Sequence, residues 1–394
     1  MRLKEIFIAF LVLTGCSAPN QKSNQDFRVI DVPLKGDDHQ IMMSSFVNSI
    51  SYIPLETKDE CLIGCIDEII VTDDFYYIVD ETKACSVLCF DISGKFICKL
   101  GSRGPASGEY MQITDVNVYK DKVYLWDCSL QKLFIFDHDG HFLEEKKFDY
   151  MAESFAVLDD SWIVFYGDYK ANKKYERSNL YPNLLFVNVD NGETKSDLFF
   201  DSRMCYSSII SSPFNFVSNA NFVTPLSDTI YQALPSAVLK KRYVLQFGEQ
   251  YQKAQRDYIE KLKTETVDVY QGIEFMKKIP YVYTFLDTPS YAFLKYNWED
   301  YYYLGIINHK ESDAYIEASG YKKMNIVNDM DDIAVFVPLA TYKNTVYSYR
   351  SPERITSDEI SGRHIEPDDN PSQNGIEIIN EQKINFCFAN NRKS

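Results

Sequence analysis

Short apolar runs and polar turns alternate along most of the chain. Residues 69–97, IIVTDDFYYIVDETKACSVLCFDISGKFI, open with a brief apolar run, pass an acidic turn and enter an aromatic run ending at Asp80. A second polar turn leads into SVLCFD, and a glycine-containing turn into a further run. Apolar runs rich in β-branched and aromatic residues, bounded by such turns, are strand signals. Residues 116–143, VNVYKDKVYLWDCSLQKLFIFDHDGHFL, repeat the same grammar. Asp80 falls on Asp127, 47 residues on, while Asp91 falls on Asp137 and Gly94 on Gly140, each 46 on. Each unit predicts four strands.

Four strands in about 46 residues, repeated in tandem, match the size of a β-propeller blade. Looser units follow at 155–168 with 184–200, at 214–234 with 239–248, at 283–309 and at 324–350. Between the fourth and fifth units the period changes: Tyr251, Ala254, Tyr258 and Leu262 follow helical spacing, so residues 250–278 predict a helical insertion packed by that stripe on the propeller. The strand-like segments 27–34 and 50–57 precede the first full unit, and 376–388 follows the last. A ring left open exposes unpaired strand edges, so both early segments are expected to complete the last blade beside the chain-terminal strands. The expected fold is all-β: one six-bladed β-propeller of four-stranded antiparallel blades over residues 27–389, with a helical insertion.

Residues 99–110, KLGSRGPASGEY, join the first two units. A phosphate-binding loop needs Gly-x4-Gly-Lys-Ser/Thr between a strand and a helix. Here the spacing is Gly101, Gly104, Gly108, no Lys-Ser/Thr follows, and the next residues alternate as a strand. The stretch therefore reads as a glycine-permitted corner between blades.

Composition agrees with β structure: 29 Tyr and 26 Phe bring the aromatic share to 15%, and aromatic residues favour pleated, half-buried surfaces. The formal charge of −16, without a basic stripe, would repel a phosphate backbone and excludes nucleic acid as an expected partner. The first residues read as an address. MRLKE is a charged start, IFIAFLVL an apolar run too short to span a bilayer, and LTGC a terminus of small residues. Leu13-Thr14-Gly15-Cys16 resembles the lipobox of bacterial lipoproteins. That resemblance implies a signal peptide over 1–15, lipidation of Cys16 and a polar tether over 16–26. Ser17 after the cysteine, and the lack of an early acidic cluster, imply an outer-membrane lipoprotein facing the periplasm, with surface display as the alternative.

Eight further cysteines stand at 61, 65, 85, 89, 98, 128, 205 and 387. Cys85 and Cys89 on one extended strand would be ~13 Å apart, beyond disulfide reach. The paired three-residue spacers do not match the usual two-residue zinc pattern. Most of these cysteines read as small core hydrophobes.

The blades with Tyr-x-x-Asp and Phe-Asp-x-x-Gly, joined by LGSRGPASGEY, look like NHL-type repeats. With SYIPLET (51–57), LIGCIDEIIVTDDFYYIVD (62–80), GEY (108–110), DTIYQAL (228–234) and DDNP (368–371), the mature chain resembles the six-bladed β-propeller lipoproteins of Bacteroidetes. The corner departs from that family's Gly-x-Gly-Pro-Gly-Glu-Tyr by carrying GPASGEY. The resemblance covers about residues 28–389 and speaks for fold rather than activity.

Candidate chemistry is sparse. The five histidines are 39, 138, 141, 309 and 364, and no nucleophile elbow, zinc helix or Cys-x-x-Cys is present. Asp137-x-Asp139-Gly140 matches the start of a calcium loop, but a hairpin turn accounts for it. His309 and His364 read as solvent-exposed. Asp80 and Asp127 read as structural, bonding nearby backbone N–H groups. Arg103, Glu109, Tyr110 and Trp126 are the expected ligand contacts, since such side chains on a concave rim stack on sugar rings and bond hydroxyls. No catalytic residue, metal ligand or cofactor is assigned. Two functions stand: a non-catalytic binding or scaffold propeller for glycans or envelope proteins, and a hydrolase or lyase with a metal-assisted site in the channel. Convergence of carboxylates and an Asn or His on the axis would favour the second.

Overall fold

The structure, a computed structural model, describes residues 27–32, 41–205, 220–224, 227–265, 274, 278–298, 301–309, 314–316, 326–327, 329–330, 338–350 and 385–391. The expected signal peptide and tether with Cys16, together with His39, His364 and the expected loop 357–375, lie outside these residues. The described strands form six four-stranded sheets and one two-stranded parallel pair, Ile41–Met42 with Ile326–Val327. The first blade holds Glu68–Val71, Phe75–Asp80, Ser86–Asp91 and Phe96–Leu100 in sequence order. The second holds Asp115–Tyr119, Lys122–Asp127, Lys132–Asp137 and Phe142–Lys147. The third runs from Ser154–Val157 through Trp162–Tyr166 and Leu180–Asn188 to Thr194–Asp201. A later blade runs from Tyr281–Asp287 to Ala314–Ile316.

Closure is made by distant segments. Val47–Pro54 pairs antiparallel with Asn385–Asn391, in the register Asn385↔Pro54 to Asn390↔Ser49, outside Ala340–Tyr342 and Thr345–Arg350. An early strand and the last described strand thus meet in one sheet. Of the two early segments expected here, only the second takes this place. Arg28–Asp31 instead pairs parallel with Val238–Gln246, beside Thr229–Leu234 and Asn221–Val223. The antiparallel blades therefore number five rather than the six expected, and the remaining four-stranded sheet is mixed. The cause is local: after Gln246 the chain enters a helix instead of a hairpin. The exposed edge of Val238–Gln246 is covered by a segment distant in sequence, which no hairpin geometry constrains to run antiparallel.

Side chains of successive sheets meet in buried clusters all around the ring. Tyr77, Val79 and Cys89 of the first blade pack with Val116, Leu125 and Phe134 of the second. Tyr76, Ile78 and Phe90, pointing the other way, pack with Ala340 and Tyr347 of the closing blade. A strand buried on both faces reads as continuous apolar sequence, which explains FYYIVD and SVLCFD. The helix, Glu249–Thr264, covers the first part of the expected insertion; residues 266–273 and 275–277 lie outside the described set. Tyr251, Tyr258 and Leu262 are buried, and Ala254 partly so, against Ile30, Tyr243, Leu245 and Tyr296, as the helical stripe predicts.

The repeated aspartates are wholly buried. One oxygen of Asp80 accepts from Gly64 N at 2.7 Å and Cys65 N at 2.8 Å; the other accepts from Lys83 N at 3.1 Å and Ala84 N at 2.8 Å. Asp127 repeats this with Met111 N, Gln112 N and Leu130 N, and with the Ser129 hydroxyl as the fourth donor. Each carboxylate ties the segment entering its blade to the turn after the second strand. Four donors around a buried carboxylate leave it no capacity for a ligand. Asp127→Ala is expected to lower stability by about 3 kcal/mol, because buried donors are left unsatisfied. A urea titration should show a lower midpoint with an unchanged slope; an unchanged midpoint would refute the tie.

Candidate functional site

The innermost strands surround a central channel of about 680 Å³. One mouth is ringed by turns that reach from blade to blade. Lys343 of the closing blade pairs with Asp73 of the first. His138 of the second blade stacks on Phe75 of the first, at 4.9 Å between centroids, and bonds the Tyr77 hydroxyl through Nδ1. Lys120 donates to both oxygens of Asp160 in the third blade, at 2.6 and 2.7 Å. Asp159 beside it accepts from Ser236 N at 2.8 Å. Arg242 pairs with Asp287, which also lies 2.9 Å from His309 Nε2. Most charges at this mouth are thus engaged in holding neighbouring blades together.

The opposite end of the innermost strands carries acids of another kind. Glu68 and Asp115 open the innermost strands of the first two blades at equivalent positions, 47 residues apart. Glu68 lines the channel. Asp115 accepts from Phe155 N on one oxygen and Val116 N on the other, both at 2.8 Å. Burial drives the Glu68 carboxyl well above the usual carboxylate range, and the nearby charges of Asp115 and Glu81 push it further. Burial lifts Asp115 to about 7 against the N–H donors that favour its charged form, and Glu81 adds to the rise. Glu81 is itself raised, by burial and then by Asp67. Burial and mutual repulsion thus raise all three acids above their ordinary values.

The expected ligand contacts fall elsewhere. Tyr110 is wholly buried, and its hydroxyl donates to the carbonyls of Cys85 at 3.2 Å and Leu100 at 3.4 Å. Trp126 is wholly buried between the second and third blades, with Nε1 donating to Ala152 O at 2.9 Å. Glu109 accepts from Ala106 N and the Ser102 hydroxyl, which fastens the corner loop to itself. Burial and internal bonding withdraw these three from a solute. Arg103 is exposed on the corner, where its backbone bridges Tyr110. No residue of that corner is among those lining the channel. Gly101 and Gly108 adopt φ of +58° and +79°, the left-handed backbone expected of the corner. His309, expected in solvent, has a side chain only 11% exposed, because Asp287 and the Tyr243 ring enclose it.

The turn at Asp137 behaves as a hairpin: its carboxylate accepts from His141 N at 2.8 Å, much as Asp91 accepts from Ser93 N and Lys95 N in the first blade. Asp137, Asp139 and His141 also bring three metal-type ligand atoms within 4.8 Å, the one such group among the described residues, on the exposed turn. Sequence reasoning missed Glu68 and Asp115. The available signal was their 47-residue offset, the same as between Asp80 and Asp127.

A family model, Domain of unknown function (DUF4934), matches residues 27–374. The chain belongs to the DUF4934 family. No curated protein matches it. Among solved structures, this DUF4934 chain is similar to a candidate exported protein of Bacteroides fragilis, with a TM-score of 0.66 at 16% identity over 93% of this chain and 100% of that one. It is also similar to a member of the DUF4221 family from Bacteroides vulgatus, with a TM-score of 0.50 at 10% identity over 88% and 98% of the two chains. At such identities the likeness is one of fold.

The raised acids of this DUF4934 chain carry a pH signature. Asp115 rises from an ordinary value of 3.8 to about 7, so between those values the folded chain holds a proton that the unfolded chain releases. Stability then falls as pH rises through that window. Glu68→Gln removes one raised carboxyl of the set and should melt progressively higher than the parent chain as pH is raised from about 4 to about 7. A difference independent of pH in thermal melts would contradict the coupling.

Proposed function

We propose that this chain is a lipid-anchored envelope protein whose propeller binds or scaffolds without catalysis, with the mixed sheet counted as the sixth blade of the ring. The observation that carries the binding role is the channel acid set. At neutral pH a protonated carboxyl donates a hydrogen bond and an ionised one accepts, which suits a hydroxyl-rich ligand such as a glycan. A channel of about 680 Å³ has the volume of a small-molecule site. A second envelope protein could present the same hydroxyl or amide groups on an inserted loop. The charge of −16 argues against nucleic acid.

The second reading, a metal-assisted hydrolase or lyase, is favoured by Glu68 and Asp115 themselves, because a cation would relieve their repulsion. Its requirement is a third ligand within reach. Among the described residues the one three-ligand group lies on the exposed Asp137–His141 turn.

Glycan-array binding by the purified chain should weaken about tenfold in Glu68→Ala, the worth of one hydrogen bond to a charged or partly charged group. Undiminished binding would move the site away from the channel. Anchoring rests on the Leu13–Cys16 sequence, with an outer-membrane, periplasm-facing position ahead of surface display. The fold likeness to a candidate exported protein accords with export. Cys16→Ala should shift the protein from the membrane pellet to the soluble fraction; retention in the pellet would refute the anchor. Digestion by protease added to whole cells would place the chain at the surface instead.

A further inference from the structure

Cys89 and Cys98 are direct cross-strand partners in the first blade, on its third strand and its outermost one. Tyr77 is the partner of Cys89 on the strand before, so the three side chains lie in a row. That row faces the second blade. Directly opposite residues of an antiparallel pair hold their Cβ atoms ~4.5–5.5 Å apart, close to the ~3.5–4.5 Å a disulfide spans. The two thiols influence each other, raising Cys89 and lowering Cys98. Cys98 Sγ lies 3.4 Å from the His138 carbonyl oxygen of the next blade. Cys89 is wholly buried while Cys98 is partly open. Other thiols are engaged differently; Cys61 donates to Glu56 O and Cys65 to Asp67.

We propose that Cys89 and Cys98 are a modification site, closing to a cross-strand disulfide by exchange with a small disulfide or a disulfide-bearing oxidoreductase. The accessible Cys98 attacks first as its thiolate. Its sulfur bonds to one sulfur of the oxidant, the oxidant's S–S bond breaks, and the leaving thiolate takes up the proton Cys98 gave to solvent. Cys89 then loses its proton and attacks the Cys98 sulfur, expelling the second thiol. Two protein thiols are oxidised to one disulfide, and one external disulfide is reduced to two thiols. Hydrogen bonding from Cys89 holds Cys98 toward its thiolate form, below the ordinary thiol range, which suits the order of attack. The product locks the outermost strand to its neighbour. The second blade sits directly against this bond: a Cβ at Gly140 would lie 3.0 Å from the Cys98 sulfur. Oxidation also removes the S–H that Cys98 directs at the His138 carbonyl.

Whether the bond exists in the cell rests on the export proposed above, whereas its capacity to form does not. The purified chain, incubated natively with excess oxidised glutathione at about pH 8, alkylated and digested with trypsin, tests the capacity. The pair falls on the peptides 84–95 and 96–99, and the first also holds Cys85. The expected product is these two peptides linked, with both alkyl groups lost, in the parent chain and in Cys85→Ser, and no link in Cys89→Ser. Complete alkylation of Cys98 in the parent chain, or a link that survives in Cys89→Ser, would overturn the proposal. Acid-quenched cells tested the same way give the second reading. A linked pair supports its presence in the envelope, while a reduced pair alongside a competent purified chain overturns only the oxidising location.

Discussion

The structure depends on each sheet being buried on both faces. Tyr77 and Val79 enter one inter-blade cluster while their neighbours Tyr76 and Ile78 enter the next. A sheet with two apolar faces cannot stand alone or at the end of a stack, because one face would meet water. A closed ring is the arrangement in which every such sheet has two neighbours. The pairing of Val47–Pro54 with Asn385–Asn391 therefore completes more than one blade; it supplies the last interface on which the others rely. The same constraint explains the capture of Arg28–Asp31 by Val238–Gln246, since an open edge on a doubly buried sheet would otherwise remain.

Within that frame the acidic residues divide into two physical classes. Asp80 and Asp127 are buried but fully bonded, each by four donors, so they act as mortar between a linker and a turn. Glu68 lines the channel and Asp115 opens the equivalent strand of the next blade, and burial with nearby acid charge raises the pKa values of both. A raised carboxyl marks the place where the fold tolerates an electrostatic cost, and such places concentrate binding and chemistry. The charges at the hairpin mouth belong with the first class, because Lys120, Lys343 and Arg242 are spent on acids of adjacent blades.

The Cys89–Cys98 pair follows from the same geometry. A bulge after Cys89 breaks the register toward Phe90, yet the two cysteines remain opposite, with a tyrosine beside them and the next blade above. Redox change there would act on an inter-blade contact, because Cys98 lies 3.4 Å from the His138 carbonyl of the next blade.

The tandem grammar of aromatic strand, Asp turn and Phe-Asp-x-x-Gly hairpin was enough, read alone, to determine the propeller architecture, the helix, the inter-blade corner and the structural role of Asp80 and Asp127. These are local matters: alternation, turn chemistry and a repeat offset are written in adjacent residues. Tertiary structure decided the rest. It turned Tyr110 and Trp126 from expected ligand contacts into core, because an aromatic side chain looks alike in sequence whether it faces a rim or a neighbouring blade. It drew His309 out of solvent and sent Arg28–Asp31 to a parallel edge far from the closing blade. It also set Cys89 against Cys98 and gathered Glu68, Glu81 and Asp115 into one repulsive group. Side chains brought together by ring closure and strand register acquire their pKa values, burial and partners only from neighbours that the linear order keeps apart.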